Sequence, residues 1–377
     1  MSCRINLMSF CAFVLVACVL VVSVDGFYTV ASRVNARRAL MQQHGDSHRV
    51  DVIDPDPDVA MEAESIRPKV QRYFETFDWK KNAYTSQDYK INYRVEGPKN
   101  GQKILLVHGF GANVNHFRFQ FPALVAEGYR VYAVDLLGFG GSDKPKDAEY
   151  SIDLFVQQLE DFVTEMSSTE NEPWFAAGNS IGGLCSLGLA DRKPDAIKGV
   201  VLFNTSGGMS SFRYDMVPFF VRPIMWLVQK FILGNPERGG KFFENFKTRE
   251  NVESILMTQG VYGNTTNVDD ELLEILLGPS DDDGARDVFL KVFGGEPGPT
   301  PESYLAKIEC PVLALWGEAD PWTVIAMGES LEKHNKQYRL ERLPGAGHCP
   351  HDEAPELAHE IMLPWLRDVV KAGEVNA

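Results

Sequence analysis

The chain has 377 residues, 44% of them hydrophobic, and a formal net charge of −15. That length and composition suffice for a large buried core, which excludes a disordered chain and a disulfide-stapled miniprotein. No basic stripe interrupts the acidic body, so nucleic acid is not an expected partner.

The first feature in chain order is an uncharged apolar run, FCAFVLVACVLVVSV, from Phe10 to Val24, preceded by Arg4 and closed by Asp25 and Gly26. One basic residue, a short apolar stretch and small residues near its end read as a secretory signal peptide over 1–26, since the run is short for a membrane span. Behind it Arg33, Arg37 and Arg38 occur with no acid until Asp46, the composition of an organelle transit peptide. The two in series, with Phe27 just past the cut, resemble the bipartite leaders of algae with secondary plastids. A plastid destination is implied, with secretion or membrane anchorage as the alternative. The acidic, proline-bearing stretch from Asp51 to Glu64 reads as a linker, so that 27–64 is leader and linker and 65–377 the folded domain.

From there the pattern changes. YKINYRV, Tyr89 to Val95, alternates as a half-buried strand does, whereas ILLVHG, VYAVDL, WFAAG, VVLFN and VLALWG are short continuous apolar runs. Such runs suit parallel strands covered on both faces. Between them lie helical patterns such as SIDLFVQQLEDFVTEM, where Ser151 can cap the N-terminus and Leu154, Phe155, Leu159, Phe162 and Val163 recur at helical spacing. Alternating strands and helices predict an α/β fold with a mostly parallel central sheet and helices on both faces. From about Met209 to Gly298 no strand-like run occurs, while Phe212, Phe219, Phe220, Trp226, Phe231, Phe242, Phe243 and Phe246 crowd together. This reads as a helical insertion over the carboxyl ends of the strands, where ligands bind in open α/β sheets. Its aromatics either fill a core of their own or face a lipophilic substrate, with peripheral membrane contact through this lid as a further expectation. The cysteines beyond the leader, Cys185, Cys310 and Cys349, are scattered and odd in number, so neither a disulfide scaffold nor a zinc site is expected.

Gly178-Asn179-Ser180-Ile181-Gly182 fits G-x-S-x-G between the strand WFAAG and the helical GGLCSLGLA. In that setting a sharp turn lifts the serine hydroxyl above the sheet, and glycines two before and two after let strand and helix approach closely. A phosphate-binding loop is the rival for such a turn, but the lysine and the glycine spacing it needs are missing. A serine nucleophile needs a base and the base an orienting acid, in the chain order Ser, Asp or Glu, His. Asp320 follows the buried strand VLALWG and precedes Pro321, which favours an extended residue there; Glu318 is its rival. Asn204, after the preceding strand, is an amide and cannot stabilise an imidazolium as a carboxylate does. His348 lies in the loop LPGAGHCPHDEAP behind Gly345 and Gly347, with His351 three residues on. For the oxyanion, the backbone N–H of Ile181 is one donor, and that of Phe110, between Gly109 and Gly111 after the strand ILLVHG, is the second. His108 reads as a structural residue of that loop. Ser180, Asp320 and His348 thus form the expected catalytic set, with no metal or organic cofactor required.

These motifs, HGFGAN, VDLLGFGGSDKP, GNSIGG, GEADPW and AGHCPHDEAPE, resemble in kind and order those of the α/β-hydrolase superfamily from Tyr89 to Val370. GNSIGG with DPW and GHCPHDEAPE is similar, more narrowly, to the plastid and cyanobacterial serine hydrolases that include pheophytinase. The resemblance implies a carboxylic-ester hydrolase with a Ser-His-Asp triad and a lipophilic ester substrate, such as the phytyl ester of pheophytin. The same elbow occurs in hydrolases that cleave carbon–carbon bonds, which is the first alternative, and a ligand-binding receptor on this fold is the second. Enzymes of the superfamily that need a carboxylate nucleophile, such as epoxide hydrolases, are excluded by Ser180.

Overall fold

The computed structural model describes residues 70–210, Tyr214 and residues 219–376. The signal peptide expected over 1–26 and the transit-like segment and linker over 27–64 lie outside the described residues. Contacts divide the chain into two compact units, one made of Lys69–Met216 with Gln229–Ala377 and one that includes Val217–Val228.

The larger unit is built on eight strands: β1 (Glu75–Trp79), β2 (Tyr89–Glu96), β3 (Lys103–Val107), β4 (Arg130–Val134), β5 (Trp174–Asn179), β6 (Ile197–Phe203), β7 (Val312–Gly317) and β8 (Tyr338–Leu343). Their order in the sheet is β1-β2-β4-β3-β5-β6-β7-β8. β2 runs antiparallel to both its neighbours, β1 and β4, and all the other pairs are parallel. The continuous apolar runs are buried on both faces, as parallel strands under helices must be. Along β3, Ile104 and Leu106 join one core cluster with Phe117, Phe121, Met362 and Leu366, while Leu105 and Val107 join another with Phe155, Leu159 and Leu184. That is the two-residue period of a strand feeding two opposite layers. β1 has no counterpart in the sequence reading. Within ETFDW only Phe77 and Trp79 are buried, so an edge strand this short leaves little pattern.

Helices α1 (Gln120–Ala126), α2 (Ile152–Met166) and α3 (Ile181–Arg192) fill the crossovers. Ser151 caps α2 as its sequence predicts, its Oγ accepting from the Leu154 N–H at 3.1 Å, an arrangement worth about 1 kcal/mol. Between β6 and β7 no strand occurs among the described residues, and the α-helices there are α4 (Arg222–Val228), α5 (Pro236–Phe246), α6 (Arg249–Glu253), α7 (Asp270–Leu277), α8 (Ala285–Phe293) and α9 (Pro301–Leu305). The chain ends with α10 (Ile325–Leu331), α11 (Pro350–Glu353) and α12 (Pro355–Asn376). α4 belongs to the smaller unit, where Met225 is buried and Ile224, Trp226 and Leu227 are exposed. Among the described residues no helix is long and apolar enough to cross a membrane.

Candidate active site

Because β3, β5, β6, β7 and β8 are parallel, their carboxyl ends Val107, Asn179, Phe203, Gly317 and Leu343 lie along one edge of the sheet. The segments that follow them carry Phe110, Ser180, Ile181, Asn204, Asp320 and His348. Ser180 stands between β5 and α3 at φ +54° and ψ −120°, a left-handed conformation that is costly for a non-glycine residue. Its backbone is held on both sides. The Ser180 N–H donates to Phe203 O at 3.1 Å, and its carbonyl accepts from Gly183 N at 3.1 Å and Ser206 N at 3.1 Å. The flanking glycines make the turn possible by close approach: a Cβ on Gly178 would lie 2.3 Å from the Gly182 carbonyl carbon, and one on Gly182 would lie 2.1 Å from Val107 O. The loop after β3 comes equally near, since a Cβ on Gly109 would sit 3.3 Å from Ser180 Cβ. Ile181 is the first residue of α3, where an N–H has no partner within the helix. Among the described residues neither it nor the Phe110 N–H donates to another group.

His348 and Asp320 meet directly. Nδ1 of the imidazole lies 2.6 Å from Asp320 Oδ2, so Nδ1 carries the proton and Nε2 is left as an acceptor. Asp320 also accepts from the N–H groups of Trp322 at 2.7 Å and Thr323 at 3.1 Å, from the Thr323 hydroxyl, and from Asn204 Nδ2 at 2.7 Å. Burial alone would push this carboxyl up. The facing His348 and the hydrogen bonds from Thr323 and the Trp322 N–H outweigh burial and hold it below the usual carboxylate range. The indole of Trp322 covers the His348 ring at a centroid distance of 5.2 Å. The histidine loop is pinned through its backbone, the His348 N–H donating to Val261 O at 2.7 Å and its carbonyl accepting from Asn179 Nδ2 at 2.8 Å. The residue before Ser180 is thus tied to His348. Among the described residues no hydrogen bond joins Ser180 Oγ itself to the imidazole.

The rivals lie elsewhere. Glu318 is exposed and paired with Arg342 at 3.1 Å. His351 is fully buried with both ring nitrogens unpaired, and burial pushes it well below its ordinary value, so it stays neutral. His108 donates from Nδ1 to Gly109 O at 2.8 Å and accepts at Nε2 from the Leu136 N–H at 3.0 Å, which makes it the strut between two loops that its setting implies. His116 is buried and bonded to the Tyr262 hydroxyl at 2.9 Å; Tyr262 in turn donates to Asp352, which Arg118 grips at 2.8 Å. His44 and His48 lie outside the described residues.

Three residues with a place in the site were not read from the sequence. Thr323 and Trp322 follow Asp320 closely enough for an Asp-x-x-Thr turn to have been noticed. Glu353 is buried and accepts from the N–H groups of Gly263 at 2.7 Å, Asn264 at 3.0 Å and Cys349 at 3.0 Å. It straps the His348 loop to the insertion.

The insertion meets the site at two places. Its Val261–Asn264 segment packs beneath the histidine loop, where a Cβ on Gly263 would lie 2.3 Å from Gly345 O. Farther on, Phe242, Phe243 and Phe246 of α5 and Phe289 and Phe293 of α8 form a cluster with Phe110. Aromatic pairs of this kind contribute about 0.5–1.5 kcal/mol each beyond their area. Of the aromatics noted in the sequence, Phe242, Phe243 and Phe246 therefore build a core, whereas Phe219, Phe220, Trp226 and Phe231 are exposed and Phe212 lies outside the described residues.

Residues 103–355 match the family model for the alpha/beta hydrolase fold. The chain is 26% identical over 328 residues to the chloroplastic pheophytinase of Arabidopsis thaliana, with 75% of this chain and 65% of that protein covered. It therefore spans less than two thirds of that relative's length. It is 24% identical over 288 residues to epoxide hydrolase 3 of Xenopus tropicalis, covering 74% of this chain and 75% of that one. Among solved structures, a thermophilic esterase from Thermogutta terrifontis superposes with a TM-score of 0.61 at 21% identity, covering 78% of this chain and 99% of the esterase. That last likeness is one of fold.

Proposed function

Because the chain belongs to the α/β-hydrolase family and is a hydrolase of that kind, we propose that it cleaves a carboxylic ester through an acyl-enzyme on Ser180. The observation that carries this reading is the 2.6 Å pair of His348 Nδ1 and Asp320 Oδ2 in a loop tied through Asn179 to the turn bearing Ser180. In the proposed cycle His348 Nε2 takes the Ser180 proton as Oγ attacks the ester carbonyl carbon, a contact that tightens when substrate binds. The N–H groups of Ile181 and Phe110 hold the oxyanion, each such donor being worth about 2.7–4 kcal/mol. His348 then protonates the departing alcohol, draws a proton from water, and the hydroxide releases the acid and regenerates Ser180. Asp320 stays ionised and stabilises the imidazolium.

For the substrate we propose a lipophilic plastid ester, with a phytyl ester as the specific candidate. The support is the likeness to pheophytinase and the aromatic wall beside Phe110. The leader read from the sequence would deliver the chain to a plastid. The same reading includes contact of the insertion with a lipid surface, supported by Phe219 and Phe220, which are 79% and 66% exposed. In vesicle co-sedimentation the Phe219→Ser/Phe220→Ser protein is expected to bind less than the parent; equal binding removes the membrane contact.

The decisive experiment is p-nitrophenyl ester hydrolysis by the parent and by Ser180→Ala. Turnover in the parent only supports the reading, and equal turnover in both defeats it. Incubation with plastid pigment and lipid extracts then tests the substrate: release of phytol supports the phytyl ester, and loss of pheophytin without phytol removes it.

A further inference from the structure

We infer that Phe289 is a positioning residue, which fixes the Phe110 backbone N–H through a stack of phenylalanine rings reaching out from the insertion. The inference rests on the ester-hydrolase reading and adds to it what holds the second oxyanion donor in place.

The argument starts from the backbone. Phe110 is flanked by Gly109 and Gly111, and Gly111 stands at φ +73°. A peptide between two glycines has the least intrinsic stiffness the chain can offer. Preorganised donors are effective only when they do not reorient during reaction. The peptide that carries the Phe110 N–H is tethered at its carbonyl end, where Gly109 O accepts from His108 Nδ1 at 2.8 Å and from the Ala112 N–H at 3.2 Å, and the Phe110 side chain supplies the second hold. That ring lies 5.2 Å from Phe289, 6.1 Å from Phe293 and 5.9 Å from Phe139. Phe289 is the hub of the stack, since it also contacts Phe246 at 4.7 Å, Phe243 at 5.2 Å and Phe293 at 5.5 Å.

The hub is itself immobilised. Its helix α8 is fastened to the loop after β4 by Lys291 Nζ, which donates to Lys146 O at 2.6 Å and Ala148 O at 3.0 Å. A Cβ on Gly138 of that loop would come within 2.5 Å of Val288, so helix and loop are in close contact. The donor is therefore braced against the body of the protein by an element of the insertion.

A wall that merely binds the greasy part of a substrate makes a different forecast from a brace. The full-length chain and its Phe110→Ala, Phe289→Ala, Phe289→Leu and Phe110→Ala/Phe289→Ala variants are assayed with p-nitrophenyl acetate and with a long-chain ester. A brace predicts that Phe289→Ala lowers kcat about tenfold on both esters, a fraction of the 10²–10³ that outright loss of a donor costs, with KM for the acetate unchanged. Phe110→Ala, which keeps its N–H, falls by the same factor. The double variant falls no further than either single one, because both act through one contact. Phe289→Leu, which retains most of the volume, recovers most of the rate, and Phe110→Ala carries the test should the Phe289→Ala variant fail to fold. Unchanged kcat on the acetate with a raised KM for the long-chain ester, or additive losses in the double variant, overturns the brace. A parent without Ser180-dependent turnover instead removes the hydrolase reading and the inference with it.

Discussion

Asn204 donates from Nδ2 to Asp320 Oδ2 at 2.7 Å and accepts from the Gly317 N–H at 2.8 Å, while its own backbone stands at φ +43°. The residue rejected as an acid on chemical grounds is thus the one that grips the acid. Asn is among the few non-glycine residues that tolerate this conformation. Asn204→Ala leaves a buried N–H unpaired, which costs about 1–3 kcal/mol, and adds left-handed strain. Asn204→Gly relieves the strain but not the lost bonds. Urea unfolding is therefore expected to rank the parent above the glycine variant and the glycine variant above alanine, with ester turnover reduced in both.

The strap made by Glu353 yields a second expectation. Its two oxygens receive three backbone N–H groups from both sides of the seam between the insertion and the histidine loop. In Glu353→Gln one oxygen becomes an NH₂ that must face a donor, whichever way the amide turns. The loss is about 1–3 kcal/mol, and kcat is expected to fall with it because Cys349, one of the three donors, adjoins His348. A variant equal to the parent in both urea unfolding and turnover would show that the strap has no part in holding the loop.

Acid sensitivity follows from the buried histidines. Burial, aided by the Arg118 charge, pushes His116 down to about 3, whereas unfolding returns it to about 6.5. Between those values the unfolded chain binds a proton that the folded one refuses, so stability is lost as pH falls through the window and is fully present above it. The slope is at most about 1.36 kcal/mol per pH unit for this one group. His116→Asn should flatten the dependence of the unfolding free energy on pH between about 4 and 6 by up to one proton, which urea titrations at several pH values read directly.

The turn at Ser180 leaves no room for a side chain on its helical flank. Gly182→Ala would set a methyl 2.1 Å from Val107 O, against backbone that cannot yield. We expect this variant to lose cooperative unfolding or to accumulate as insoluble protein, whereas Ser180→Ala, which adds no atom, keeps the parent's thermal midpoint within a few degrees.

Much of this was legible in the sequence because parallel strands buried on both faces leave unbroken apolar runs, and the loops at their carboxyl ends carry the glycines and polar residues. The turn at Ser180 and the positions of Asp320 and His348 follow from spacing within a few residues of a strand end, and the Ser151 cap from the helical repeat that begins behind it. What escaped was set by distant partners. Glu353 reads as one more charge in a polar stretch until Gly263 and Asn264 are brought to it, and His116 as an ordinary loop residue until Tyr262 closes over it. The same holds for Phe110, whose glycine neighbours point to a turn while its ring is claimed by helices more than a hundred residues away.

The Val261–Asn264 segment underlies the histidine loop, and α8 lies against Phe110, so these two parts of the insertion are structural masonry. Transplanting the insertion from a relative would therefore exchange part of what holds the candidate site together. A chimera that respects the architecture keeps residues 261–264 and the Phe289 ring and varies only what lies between them.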